Sequence, residues 1–227
     1  MDIFYPIVKF FTAGGVFMLP ILLAAAVATA IAIERYVTLT RLSIKNRGAW
    51  SRVEPALTSG DFEKAREITS KDDAAISKLL AMGLALQGAV RRRDDVEKAM
   101  QESMMEILPQ LEKRTHYLAT LANVATLLGL LGTVSGLIHA FGAVATVNPA
   151  EKANLLSASI SEAMNCTAFG LMTAVPILIV HAFLQTKTIA LRDSMETAAI
   201  RFLNALAARQ AARAQTRLEL VQQAASA

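Results

Sequence analysis

Apolar residues fall into three long blocks, separated by segments in which charge and apolar character alternate with a helical period. The first block runs from Phe10 to Ile33 and closes at Glu34-Arg35-Tyr36. The second runs from Tyr117 to Val147 with no formal charge apart from a titratable His139, and the third from Ala163 to Thr186. About 20 apolar residues carry a helix across the hydrocarbon core of a bilayer, so each block predicts a membrane span. The second block, 31 residues or roughly 46 Å of helix, is long enough to project beyond the bilayer. Pro20 in the first span predicts a kink rather than a break, and the third tolerates Gly170 and Pro176 for the same reason.

The segments between the blocks predict amphipathic helices. Gly60-Asp61 caps a short helix over Phe62 to Thr69, and Asp73 or Ala74 opens another with Ile76, Leu79, Leu80, Met82 and Leu84 on its apolar stripe. Asp94-Asp95 opens a third, in which Val96, Met100, Met104, Ile107 and Leu111 recur at helical spacing. This run passes Pro109 and enters the second span without a turn signal, which predicts one long helix kinked near Pro109. After the third span, Leu191 to Leu220 is rich in Ala and Arg, with Ile200, Leu203 and Leu206 on one face; only Ala224 to Ala227 reads as disordered.

Composition sharpens the class. The chain is 54% apolar and 19% charged with mean hydropathy +0.40, against roughly 45–50% apolar and about 25% charged in soluble domains. This argues against a soluble enzyme. The net charge of +4 comes from cations mixed with acids rather than from a basic stripe with interleaved aromatics, which argues against nucleic acid as a partner. A single cysteine, Cys166, excludes an intramolecular disulfide and any multi-cysteine metal site, and His116, His139 and His181 are too scattered for a zinc motif. No metal or cofactor is expected. The apolar run after Lys9 exceeds the length of a signal-peptide core and reads as an uncleaved anchor.

The cations also predict orientation. Fifteen Lys and Arg lie from Arg35 to the start of the second span and six follow the third, with only Lys9 and Lys152 elsewhere. Cation-rich segments stay on the cytoplasmic side. The predicted organisation is an outer N-terminus (1–9), a first span (10–35), a cytoplasmic helical domain (36–116), a second span (117–147), an outer loop (148–162), a third span (163–186) and a cytoplasmic C-terminal helix (187–227). The expected fold is all-α: a three-span bundle whose helices run on into a cytoplasmic helical portion.

Small residues line two of the spans. Thr126, Gly129, Thr133, Gly136 and Ala140 fall on one face of the second, and Gly132 and Gly136 form a GxxxG pair; Thr167, Gly170, Ala174 and His181 share a face of the third. Such faces pack helices closely in lipid. A second reading is that Thr133 and Thr167 line a polar inner surface, where a hydroxyl can hydrogen-bond water or a carboxyl but cannot titrate near neutral pH. Glu162, at the mouth of the third span, is a functional candidate because carboxylates at membrane depth are costly; alternatively it stabilises a helix N-terminus. His139 and His181 are titratable types, although a lone histidine in a span more often serves packing. Cys166 reads as a small buried residue rather than a nucleophile, and Arg91-Arg92-Arg93 as a solvated turn. No acid lies in the middle of any span, so an ion carrier would have to come from another polypeptide.

The segment LATLANVATLLGLLGTVSGLIHAF (118–141) resembles the second span of the MotA/TolQ/ExbB proton-channel family, and EAMNCTAFGLMTAVP (162–176) resembles its third. The first span, with Pro20 and Glu34-Arg35-Tyr36, is similar to the start of the ExbB and TolQ branch. The resemblance implies a homopentamer in the bacterial inner membrane, surrounding the helices of an ExbD- or TolR-like dimer that supplies an aspartate as proton carrier. Proton flow would energise a TonB- or TolA-like protein. By motif position Thr133 and Thr167 would face that aspartate, Glu162 would be the acid at the third span's mouth, and Gly129, Gly132, Gly136, Gly170 and Pro176 would shape the helix packing. Thr126, where many members have proline, together with Ser135, His139, His181 and Asn165-Cys166, departs from the common pattern. The resemblance implies an ExbB-like role in TonB-dependent transport. The alternatives are a TolQ-like role, a gliding-type motor, or an oligomeric scaffold that conducts nothing.

Overall fold

The structure, a computed structural model, describes residues 14–86, 93–145 and 148–226, and these are almost entirely helical. Helix α1 is Met18–Thr58, α2 Phe62–Ser70, α3 Ala75–Ala85, α4 Arg93–Glu112, α5 Thr115–Val144 and α6 Pro149–Ser226. The expected segment 1–9, the first residues of the first span, Arg91 and Arg92, Thr146 and Val147, and Ala227 lie outside the described residues. By length and apolar composition, α1, the run from Arg93 to Val144 and α6 can each cross a membrane.

The chain divides into two units. One comprises residues 1–36 and 114–185, the other 37–113 and 186–227. In the first, Ile21, Ala125 and Cys166 are buried together with Phe17, Leu128 and Phe169 against them. The buried positions are mostly small, such as Ala24, Ala28, Ala122 and Ala163, while Leu19, Leu23, Leu127, Ile138, Phe141 and Ile179 are exposed. Large side chains outside and small ones inside suit a lipid environment, where close helix approach rather than water exclusion drives packing.

The second unit is built as a water-soluble bundle is. Val53, Phe62, Leu79, Leu80, Met100, Met195, Phe202 and Leu206 share one core. Gly60 adopts φ +74° and ends α1. There the Asp61 N–H donates to the Ala56 carbonyl (2.9 Å) and the Gly60 N–H to the Leu57 carbonyl (3.2 Å), a left-handed helix terminus that needs glycine. Asp61 then caps α2, its carboxylate accepting from the Lys64 N–H at 3.0 Å. The apolar stripes hold with two exceptions: Met82 is 45% exposed and Ile200 52%. Gly83 and Phe202 take the inward positions instead, with the Phe202 ring and the Met100 sulfur packed where a side chain at residue 83 would stand.

Several expectations are corrected. Pro20 lies in the first turn of α1, where its missing N–H has no intrahelical partner, so it imposes no kink. The expected single helix through Pro109 is broken at Lys113-Arg114: Pro109 is accommodated inside α4, and Arg114 turns left-handed at φ 65° immediately before α5. The expected loop 148–162 is helical from Pro149 onward. Ala224 to Ser226, expected to be disordered, continue α6, consistent with alanine having the highest helix propensity.

Candidate functional site

The α5–α6 contact in the first unit is an antiparallel pair held at backbone distance. A Cβ at Gly129 would lie 3.2 Å from Thr167 Cα and 3.3 Å from Gly170 Cα; one at Gly170 would lie 2.7 Å from the Ala125 carbonyl oxygen. Further along α5, Gly132 leaves room for the Cys166 sulfur, and Gly136 meets Ala163, where a Cβ would approach Ala163 Cβ to 2.9 Å. Each step up α5 is thus a step down α6, with glycine on one helix facing a small residue on the other.

Thr167 is part-buried in this seam. Its hydroxyl donates to the Gly129 carbonyl at 2.8 Å, an interhelical bond made possible because Gly129 brings no side chain. The Thr133 hydroxyl donates at 2.6 Å to Leu130, one turn back on its own helix, and Thr126 likewise donates to Ala122 at 3.1 Å. Both candidate threonines therefore have their protons committed while their oxygens retain the capacity to accept. Each can receive a hydrogen bond from a protonated carboxyl, and neither can itself take up or release a proton.

Glu162 is exposed and its carboxylate abuts Gly15, occupying the space that a side chain at residue 15 would need. Gly15 has φ +73°, so its backbone requires glycine. The structure thus links Glu162 to the turn before α1 rather than to the seam at Thr167. Pro176 stands apart from both, in an apolar groove of about 480 Å³ with Ala28, Ile33, Tyr36, Val180 and Phe183. His139 is exposed and His181 half-buried. Among the described residues no cluster of three or more His, Cys, Asp or Glu side chains is arranged to hold a metal.

Sequence reasoning missed a clamp at the start of α5. Arg114 donates to both oxygens of Glu34 at 2.7 and 2.8 Å, and the buried Arg35 donates from Nε to the Thr115 hydroxyl at 3.3 Å. The signal was present: Glu34-Arg35 and Lys113-Arg114 sit at the charged ends of neighbouring apolar blocks and are complementary. It was obscured because both pairs read as ordinary flanking charge.

Residues 71–197 match the profile of the MotA/TolQ/ExbB proton channel family, more than half of the chain. An ExbB-like protein of Synechocystis is 32% identical over 180 residues, spanning 77% of this chain and 68% of its own. The biopolymer transport protein ExbB of Neisseria gonorrhoeae is 28% identical over 211 residues, 84% of this chain and 91% of its own. The Tol-Pal system protein TolQ of Haemophilus influenzae is 35% identical over 96 residues, 42% of either chain.

Proposed function

The chain belongs to the MotA/TolQ/ExbB proton channel family, within the branch of ExbB and TolQ, and from that membership we propose that it is the ExbB-like subunit of an inner-membrane motor driven by the proton-motive force. Acting with an ExbD-like single-span partner, it energises a TonB-like protein and so TonB-dependent transport across the outer membrane. Coverage carries this reading: similarity to ExbB of Neisseria gonorrhoeae extends over 84% of this chain, whereas similarity to TolQ of Haemophilus influenzae covers 42%. The higher local identity to TolQ, 35% against 28%, favours as second reading a TolQ-like subunit working with TolR- and TolA-like partners.

In this account the chain forms a homopentamer with its N-terminus periplasmic and its C-terminus cytoplasmic, as the distribution of cations favours. The apolar stretches 10–33, 117–147 and 163–186 contain no Asp or Glu, so the partner's aspartate carries the proton. Thr133 and Thr167 accept a hydrogen bond from that aspartate in its neutral form, which lowers the cost of holding it in the pore between proton uptake and release. Glu162, at the outer mouth, attracts protons toward the entry.

Thr133→Val and Thr167→Val test the reading. Each removes a hydroxyl and keeps the shape, so each variant should assemble as the parent does while TonB-dependent growth fails. Normal growth of both variants would sink the pore assignment and favour a non-conducting scaffold.

A further inference from the structure

The second unit contains a cavity of about 420 Å³ between the later part of α1 and the later part of α6. Its chemistry is lopsided. Arg47, Lys187 and Arg201 line it, with Thr40, Asn46 and the indole of Trp50, and no carboxylate is among its lining residues. Arg201 is paired with Glu54 just beyond the wall and lies 5.8 Å over the Trp50 ring. Lys187 donates to the Thr40 hydroxyl at 2.9 Å. The remaining wall is mainly aliphatic.

Asn46 adds an independent observation. It is 2% exposed, and its Oδ1 accepts from the Ile76 N–H at 3.4 Å, which fixes the orientation of the amide. Its Nδ2 then has no acceptor among the described residues. A buried donor without a partner is costly, and here it belongs to a residue of the cavity wall, beside cations. The site has donors and positive charge to offer and asks for an anion carrying several acceptor oxygens.

Position along the helices narrows the source of that anion. Lys187 directly follows the last residue of the third apolar block and bonds Thr40, and Asn46 and Arg47 lie six and seven residues past Thr40, about 9–10 Å farther along α1. The polar head-group layer is about 5–7 Å thick on each side of the hydrocarbon core. Lys187 therefore stands at head-group depth, and Asn46 and Arg47 follow on the cytoplasmic side of that layer. We propose that this cavity binds the phosphate-bearing head group of an anionic phospholipid of the cytoplasmic leaflet, with Lys187 on the phosphate, Arg47 reaching back toward it, and the Asn46 amide on the head-group oxygens that project farthest into the cytoplasm.

The inference rests on the membrane placement proposed above and not on coupling, so binding and growth assays fail separately. Trp50 is the chain's single tryptophan, and its emission reports directly on the cavity. The full chain, purified in neutral detergent, is titrated with phosphatidylglycerol, phosphatidylcholine or inorganic phosphate. Phosphatidylglycerol should shift the emission at a concentration at least about tenfold below that needed for phosphatidylcholine, as expected for two cations at a membrane surface. Inorganic phosphate should act only weakly. The double variant Arg47→Gln/Lys187→Gln, at one exposed and one half-buried position outside the core, should keep its helical circular dichroism and lose most of the preference; Arg47→Glu alone, which removes the same two units of charge, should do likewise. Equal responses to the two lipids, no response to either, or a preference unchanged in these variants would overturn the site. A response to inorganic phosphate as strong as to phosphatidylglycerol would overturn the lipid and assign a soluble phosphate compound instead.

Discussion

Glycines with the same helical backbone differ sharply in what a methyl group would meet, and this governs the seam between α5 and α6. At Gly170 it would press on the Ala125 carbonyl at 2.7 Å and on Gly129 Cα at 3.1 Å, both backbone atoms that cannot rotate away; at Gly48 nothing lies within 4 Å. Gly170→Ala should therefore destabilise the purified protein by about 1–3 kcal/mol through overpacking. Gly48→Ala should stabilise it by about 0.5–1 kcal/mol through helix propensity alone. Thermal unfolding in detergent, followed by circular dichroism, distinguishes the two; Gly170→Ala unfolding no earlier than the parent would contradict the close approach. The spacing of Gly129, Gly132, Gly136 and Gly170 was legible in the sequence because helical period alone places small residues on a face. Their opposite numbers were not, since the register between two helices depends on backbone approach that no single segment encodes. Hence the Thr167 bond to the Gly129 carbonyl, and the seating of the Cys166 sulfur against Gly132, appear only in three dimensions.

Helix boundaries show the same division. The ends of α1 and the start of α2 were readable at Gly60-Asp61, where each residue type has one favourable use. The start of α6 was passed over when 148–162 was read as a loop, although Asn148-Pro149-Ala150-Glu151 places a capping residue type, a proline suited to the first turn and an acid at the positive helix end, in that order. Its hydrophilic character concealed it as a loop. The break before α5 is different, because nothing local requires Arg114 to leave the helix. A non-glycine residue at φ 65° costs about 1–2 kcal/mol, and the double hydrogen bond from Arg114 to Glu34 offsets part of it. Arg114→Ala should keep the strain and lose the anchor, lowering stability by about 0.5–1 kcal/mol. Arg114→Gly loses the same anchor but relieves the strain, and should recover about 1 kcal/mol relative to Arg114→Ala. Chemical denaturation of the three proteins gives the ordering; Arg114→Gly falling below Arg114→Ala would refute the offset.

At the level of the whole chain, the division into blocks of apolar and charged sequence corresponds to two units built on opposite packing rules. One buries small residues and exposes large apolar ones; the other buries Leu, Met and Phe beneath a charged exterior. That contrast was legible because the solvent of each segment is written in its composition. The cavity at Asn46 was not, since its wall draws on residues some 140 positions apart in the chain, Asn46 and Lys187 among them. Family membership accounts for spans that lack a carboxylate, and the account as a whole stands on a partner that supplies one. Its most direct test is the native mass of the complex extracted into nanodiscs after co-expression with an ExbD-like single-span protein. The account predicts a mass of five copies of this chain holding two copies of the partner. A stable oligomer of this chain that retains no partner would contradict it, because no group would remain to carry the proton.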